Sequence, residues 1–407
     1  MELIKRKIMK TIFLNYLAVL GLLIGVSCSD EDLQTPIENN SEAPSQVTDV
    51  SVVNLKGKAK VSYKLPKDQD LLYVKASYTL ANGREMEVKS SFYNSSMLLE
   101  GFSGAQANEV KITTVNRSEI ESAPVLVTVN PLRAPIFDVY ESVESGAAFG
   151  GVYLKADNPD REDVALLLME KDDLGDWVIN PNSVYTSTDE ISSTIRGFDT
   201  LSQEFAITVR DRWLNYTDTL FTTIKPLFEE AIPKSGYRGL ELPNDAPRHN
   251  STPLSGLWDG NLMNWSGVYL TQGTYTENLH MFTIDMGVEA KLSRIVIWDY
   301  PEYFNGRTYY YKGCMKRFEI YGSEELDTSG DLSSWTLLGT YEEIKPSGLP
   351  YGQQNNEDYE TAVAGFSWEV PADMPKMRYL RIRNLENWEG GKSLAIGEIQ
   401  VYGNTKF

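Results

Sequence analysis

Residues 233–407 alternate apolar and polar side chains over short runs, and turn residues separate the runs. The clearest runs are residues 282–286, 317–321, 377–383 and 396–402. Alternation with a period of two places one face of a strand on an apolar core and the other face toward solvent. Several such strands in succession predict a β-sandwich and disfavour a helical or α/β fold for this region.

Two turns in the same region add to a family resemblance. An Asp-Gly-Asn turn at residues 259–261 lies shortly before Trp265, and Gly287 follows the first run. The runs at 317–321 and 396–402 end at Gly322 and Gly403. In order and spacing these pieces resemble the discoidin, or coagulation-factor V/VIII type C, domain, a galactose-binding-like jelly roll. The resemblance implies that residues 232–407 form a carbohydrate-binding module that binds its ligand without catalysis.

The preceding part of the chain predicts two further sandwiches. Residues 46–131 contain about seven alternating runs, and Asn82-Gly83 is a hairpin turn signal between two of them. Residues 132–231 repeat the pattern after Pro135. Both segments resemble fibronectin-III or immunoglobulin-like domains, which precede discoidin-like domains in surface lipoproteins of glycan-utilisation systems. The predicted fold class is therefore all-β, with two such sandwiches acting as spacers before the jelly roll.

The N-terminus predicts a lipoprotein signal over residues 1–27. A basic start and an apolar run lead to Cys28, and residues 28–45 form a polar tether. An acidic run at residues 29–32 resembles the export signal of lipoproteins on the outer face of the outer membrane. We expect Cys28 to carry lipid there, facing the exterior, with a TonB-dependent importer complex as partner. A soluble secreted protein with a spare Cys28 is the alternative.

Composition narrows the function. The net charge is −19, which repels phosphate backbones and argues against nucleic-acid binding. The chain has only two histidines and two cysteines, and it lacks the usual hydrolase, phosphate-loop and zinc motifs. We therefore expect no enzymatic activity, although a pair of carboxylates among 57 acidic residues could still form a glycosidase site.

A structural Ca²⁺ follows from the resemblance. In related domains, an Asp-Gly turn and a Glu on the last strand share such an ion, which suggests Asp259 and Glu398 here. Ca²⁺ takes six to eight oxygen ligands, so both carboxylates suit it. The alternative is that Asp259 caps a turn and Glu398 accepts hydrogen bonds from backbone amides.

Aromatic loop residues predict the ligand site. The loop at residues 299–313 is rich in tyrosine, and Trp388 stands in a second loop next to two glycines. Aromatic rings suit the apolar faces of sugars, and an arginine supplies hydrogen bonds. The predicted carbohydrate-binding residues are Tyr300, Tyr303, Arg307, Tyr309, Tyr310 and Trp388.

The sequence therefore favours a non-catalytic cell-surface lipoprotein that captures polysaccharide or oligosaccharide for an outer-membrane uptake system. The alternative is a protein-binding adhesin or assembly subunit that uses the same loops.

Overall fold

The computed structural model describes residues 39–303 and 306–406. Two compact units divide them. The first holds residues up to 138 together with Asp211–Tyr216, and the second holds Val139–Arg210 and the residues from Thr217 onward. Cys28 and the signal segment lie outside the described residues.

The first unit is a β-sandwich of seven strands: β1 (Thr48–Leu55), β2 (Lys58–Lys64), β3 (Leu71–Thr79), β4 (Glu85–Ser91), β5 (Ser96–Glu100), β6 (Asn108–Asn116) and β7 (Val125–Val129). One sheet has the order β1-β2-β5 and the other β4-β3-β6-β7. Alternate side chains of the strands, such as Val61, Val74 and Ile112, fill the core between the sheets.

The predicted tether ends earlier than residue 45. Asn40 donates through its side chain to Asp70, and the carbonyl of Ser45 accepts a hydrogen bond from the Thr114 hydroxyl. Pro44 is buried. The described residues before β1 therefore pack on the first sandwich, because their backbone groups find partners there.

The second unit begins with another sandwich. A short helix, α1 (Ile136–Glu141), leads to its strands: β8 (Glu144–Ala148), β9 (Gly151–Asp157), β10 (Val164–Lys171), β11 (Trp177–Ile179), β12 (Val184–Thr186), β13 (Glu190–Arg196), β14 (Gln203–Asp211) and β15 (Leu220–Ile224). One sheet has the order β13-β9-β8 and the other β11-β10-β14-β15, with β12 also paired to β10.

The remainder of the second unit, which we call the C-terminal sandwich, holds eleven strands of unequal length: β16 (Glu230–Ala231), β17 (Arg238–Leu240), β18 (Tyr269–Leu270), β19 (Met281–Asp299), β20 (Glu302–Tyr303), β21 (Arg307–Thr308), β22 (Met315–Ser323), β23 (Thr336–Glu342), β24 (Phe366–Glu369), β25 (Met377–Asn387) and β26 (Ala395–Asn404). Its main path runs β16-β26-β19-β25-β22-β23. The registers place Ile284 opposite Leu380 and Ile320 opposite Ile382, all within one apolar core.

Strand β19 serves both faces of this sandwich because it bends at Gly287. Its first half pairs with β17 and β25, and its second half pairs with β24 and β26. Gly287 has φ 75°, and a Cβ there would lie 2.5 Å from the carbonyl oxygen of Gly236. Only glycine fits the bend, since it adopts positive φ without strain and leaves room for the approaching backbone. The predicted all-β fold class is confirmed.

One further helix lies in the C-terminal sandwich. The segment between Pro346 and Gly365 is rich in glycine, proline and asparagine, which is typical of a loop, yet it contains a helix, α2 (Asn356–Ala364). The Asn355 side chain accepts from the Asp358 amide, and the Asp358 carboxylate accepts from the Asn355 amide, which together form a capping box. This reciprocal cap starts a helix in a segment whose composition alone resembles a turn.

The strand ends also define where a ligand can meet the C-terminal sandwich. Strands β19, β23 and β25 end at the same edge where β22 and β26 begin, and the connecting segments meet there. We call this edge the loop end. It carries every residue that the sequence analysis selects for sugar binding.

Candidate ligand-binding site

Three of the predicted tyrosines do not stand out from the core as expected. Tyr310 is 0% exposed, and Tyr300 and Tyr309 are also buried. Tyr309 and Tyr310 pack with Ala362 of α2, and the Tyr310 hydroxyl donates to the carbonyl of Asp358 at 3.2 Å. Tyr300 packs instead with Val268 and Ala395. All three rings are covered by protein, so they support the loop end and leave no face for a ligand. This corrects the expectation that they stack on sugar.

Trp388 is also a supporting residue. Its ring is half-buried and meets Tyr310 edge to face at 5.2 Å between centroids. Its indole Nε1 donates to the carboxylate of Glu343, and the ammonium of Lys345 lies 5.3 Å from its centroid. These contacts fix both the ring and its polar edge, so the predicted stacking role does not match its surroundings.

A buried acidic pair lies beneath the same loops. Asp299 ends β19 and Glu343 follows β23, and both side chains are buried. Burial raises the pKa of both carboxyls well above their ordinary values, and the neighbouring charge of Asp299 raises the pKa of Glu343 further. The Trp388 indole donates to Glu343, whereas Asp299 Oδ2 is buried without a hydrogen-bond partner. The buried Cys314 thiol beside them donates to the carbonyl of Tyr300 at 3.4 Å.

The residues that do face solvent form a separate group, which we call the Trp265 cluster. Trp265 is 45% exposed and Tyr303 is 79% exposed. Trp265 meets His249 edge to face at 5.7 Å and Tyr300 at 6.2 Å. These contacts hold the Trp265 ring upright while leaving much of its surface open to a ligand.

Hydrogen bonds fix the polar edge of the cluster. The Trp265 indole Nε1 donates to the Ser251 hydroxyl at 3.2 Å, and the same hydroxyl lies 3.2 Å from His249 Nδ1. Trp265 begins a single 3-10 turn whose preceding residue, Asn264, is extended. His249 is exposed, and an imidazole nitrogen can donate to or accept from a hydroxyl group.

Arg307 anchors the other side of the cluster. It donates through NH1 to the Tyr300 hydroxyl and to the carbonyl of Pro301, both at 3.1 Å. Its guanidinium lies 5.8 Å from the Tyr303 ring centroid and 5.6 Å from that of Tyr300. The side-chain amide of Gln354 holds β21 in place by donating to the Arg307 carbonyl at 2.7 Å. The predicted residues Tyr303 and Arg307 thus lie side by side, with buried Tyr300 as their support.

Sequence reasoning missed Trp265 and His249 as members of a site. Trp265 marks a family motif in the sequence, and His249 lies in a segment rich in proline, asparagine and serine that predicts little. The sequence did contain one indication that Trp265 is exposed. Its immediate neighbours are polar residues and glycine, and they do not form an alternating apolar run. A tryptophan outside any strand pattern is a candidate for exposure.

The predicted Ca²⁺ ligands do not fit the ion. Glu398 is only 3% exposed through its side chain, and one carboxylate oxygen is paired with the ammonium of Lys234. The other accepts from the Gly260 amide at 3.0 Å. Asp259 is exposed and accepts from the Asn261 amide at 2.8 Å. A lysine charge already neutralises Glu398, and in the described part of the chain no three acidic, histidine or cysteine residues form a metal-binding group.

Three family models match consecutive segments of the chain, and each describes a domain of unknown function. DUF4959 matches residues 44–131, DUF5126 matches residues 132–235, and DUF5000 matches residues 258–403. No curated protein matches the chain.

Several solved structures are similar to parts of the chain. A SusE-like protein is 29% identical, with 67% of this chain and 100% of that chain covered and a TM-score of 0.42. The family 32 carbohydrate-binding module of NanJ from C. perfringens, solved with galactose, is 17% identical, with coverages of 43% and 99% and a TM-score of 0.31. The C-terminal domain of a chitobiase from Bacteroides fragilis is 16% identical, with coverages of 44% and 100% and a TM-score of 0.31.

Proposed function

We propose that the C-terminal sandwich binds carbohydrate through the Trp265 cluster and that the protein holds a polysaccharide or oligosaccharide without cleaving it. The observation that carries this proposal is the open Trp265 ring, which contacts His249 and Tyr300, together with Arg307 and Tyr303 on the far side of Tyr300. A pyranose presents an apolar C–H face and a rim of hydroxyls. An exposed aromatic ring next to an imidazole, with a guanidinium group in the same cluster, complements both features.

The buried acids support a binding role rather than hydrolysis. A glycosidase needs two carboxyl groups that reach the scissile bond from solvent. Asp299 and Glu343 are neighbouring carboxyl groups at the loop end, and both are buried. Because neither side chain is exposed, this pair is not presented to a glycosidic bond at the surface.

The cellular role in this proposal is that of a surface lipoprotein. Lipid on Cys28 would anchor the chain to the outer membrane, facing the exterior, and the bound glycan would pass to a TonB-dependent importer complex. In the described part of the chain, no helix has the length and apolar character needed to cross a membrane. Many anchored copies on one polymer would add avidity to a weak single site.

The anchor is tested apart from the binding site. Cys28→Ala expressed in a Gram-negative host should move the protein from the detergent phase to the aqueous phase. Replacing the three acids at residues 30–32 with alanine should keep the protein anchored while protecting it from protease added to intact cells. An unchanged membrane fraction for Cys28→Ala would contradict the lipid anchor.

The binding site is tested by affinity electrophoresis against starch, β-glucan, galactan, mannan and pectin. An aromatic side chain can bury up to about 250 Å², so the 45% exposure of Trp265 leaves about 110 Å² open. Covering half of that area at about 25 cal/mol per Å² stabilises the complex by about 1.4 kcal/mol, or tenfold in affinity. Trp265→Ala should therefore weaken retention about tenfold, and Tyr303→Ala should also weaken it.

Tyr185 supplies a matched control. It is 61% exposed on β12, outside the C-terminal sandwich, so Tyr185→Ala should retain glycan like the wild type. If wild type, Trp265→Ala and Tyr303→Ala all migrate alike on every gel while remaining folded, the carbohydrate proposal is wrong. The protein-binding role of the same loops would then become the leading function.

A further inference from the structure

A second exposed aromatic group lies at the loop end, apart from the Trp265 cluster. Tyr351 is 45% exposed. Its ring stacks on Tyr311 with 4.9 Å between centroids and 30° between planes. Since one face of Tyr351 lies against Tyr311, the exposed surface belongs to its other face and its edge. Tyr351 therefore presents a flat ring supported from behind.

Backbone contacts hold this ring in place. The amide of Lys312 donates to the Tyr351 hydroxyl at 3.3 Å. Tyr310 and Lys312, on either side of Tyr311, have φ of 53° and 47°, a left-handed conformation that residues other than glycine adopt rarely. Such conformations persist where the surroundings enforce them, and they concentrate at ligand-contacting sites. The buried Tyr310 ring supplies that enforcement here.

Charged groups border the exposed ring. The ammonium of Lys312 lies 5.6 Å from the Tyr311 centroid, and the side chains of Lys312 and Glu389 are exposed. The Glu389 amide donates to the carbonyl of Lys312 at 3.4 Å, and the Lys312 amide donates to the Tyr351 hydroxyl, so Glu389 belongs to the same group of loops. A donor and an acceptor at the edge of a flat ring are suited to the hydroxyls of a stacked sugar.

One loop connects the two aromatic groups. It carries Arg307 of the Trp265 cluster and Tyr311, which supports Tyr351. These two residues are four positions apart, so their Cα atoms are separated by at most about 14 Å, a spacing that a short run of linked sugar rings can match.

We propose that Tyr351, supported by Tyr311, is a second sugar-stacking subsite and that the ligand is an oligosaccharide long enough to contact it and the Trp265 cluster together. This proposal rests on the proposed carbohydrate function and adds the ligand's length to it. A monosaccharide or disaccharide occupies the Trp265 cluster alone. Longer chains gain the second stacking contact.

The test uses the purified chain and acid-hydrolysed ladders, from monosaccharide to hexasaccharide, of whichever polysaccharide in the panel of starch, β-glucan, galactan, mannan and pectin the wild type retains. Isothermal titration calorimetry measures affinity for each length. Tyr351→Ala should weaken binding of the longer members about threefold to tenfold and leave the shortest unchanged. Trp265→Ala should weaken binding at every length.

Tyr351→Phe is the matched control, because it keeps the ring and loses only the hydroxyl that accepts from Lys312. It should retain the length dependence of the wild type. If Tyr351→Ala and Tyr311→Ala both remain folded and bind every length like the wild type while Trp265→Ala does not, the second subsite is wrong and the carbohydrate function stands. If the wild type retains no polysaccharide of the panel, both proposals are overturned.

Discussion

Replacing Lys234 with methionine tests whether the Lys234 ammonium neutralises the buried Glu398 carboxylate, which is the role that a bound Ca²⁺ would otherwise have. The ammonium of Lys234 is paired with Glu398, whose side chain is 3% exposed. Methionine retains the unbranched apolar stem but not the charge. After the substitution, Glu398 keeps only the Gly260 amide as a partner, at 3.0 Å.

The expected cost follows from the burial of the two groups. Removing one partner of a buried ion pair typically costs about 3–5 kcal/mol. Lys234 is 28% exposed, so water screens part of the loss, and about 2–3 kcal/mol is the appropriate range. For a domain of this size, each kcal/mol lowers the melting temperature by about 2–4 °C, which predicts a decrease of about 5–10 °C.

The pH dependence has a definite sign. Burial raises the pKa of Glu398, and Lys234 and the Gly260 amide counter that rise. Without the ammonium, the pKa rises further. A raised folded-state pKa means that stability is retained at low pH and lost as pH rises through that pKa. The Lys234→Met variant should therefore lose more stability at about pH 8 than at about pH 5.

Calorimetry of the full chain measures the transition of the C-terminal sandwich, with and without a chelator. Glu398→Gln should recover part of the loss when combined with Lys234→Met, since it removes the unpaired charge. Lys376→Met breaks two ion pairs that are much less buried, with Glu289 and Glu324; it is the matched control and should change little. A melting temperature within about 1 °C of the wild type for Lys234→Met, or a chelator-induced decrease in the wild type, would refute the reasoning.

Three other predictions concern the same sandwich. The raised pKa values of Asp299 and Glu343 predict a melting temperature that falls as pH rises from about 5 to about 9, and Glu343→Gln should flatten that profile in calorimetry. In the wild type the fully buried Arg381 guanidinium pairs with Asp245 at 2.6 Å. Asp245→Ala removes that carboxylate, so urea unfolding should show a loss of about 3–5 kcal/mol in unfolding free energy. Tyr310→Ala should cost about 3–5 kcal/mol of unfolding free energy because the ring is buried; a stable variant that fails to bind glycan would instead restore Tyr310 as a contact residue.

The strands illustrate what a sequence pattern can specify. Residues such as Ile284 and Ile320 recur at alternate positions of runs bounded by turn residues, and the structure buries them in one core. Period-two alternation is a local property that needs no knowledge of distant residues. The all-β fold class follows from it, as does the presence of more than one sandwich.

Exposure of the aromatic residues could not be read in the same way. Tyr303 and Tyr310 lie in one tyrosine-rich loop, yet one is 79% exposed and the other 0%. The difference arises because α2 covers Tyr310. The polar composition around Asn355 does not predict that helix. A tyrosine suits both a core and a surface, so only its tertiary neighbours decide.

The sequence by itself determined the alternation that makes strands, the glycine that permits β19 to bend, and an aromatic loop at one edge of the last sandwich. Tertiary structure alone decided which rings face solvent and which partner Glu398 receives. It brought Trp265 and Arg307 to the two sides of Tyr300, and it placed Lys234 beside Glu398, where the family resemblance implied a metal. The physical reason is that backbone periodicity is encoded in neighbouring residues, whereas burial and charge pairing depend on segments that are distant in the chain.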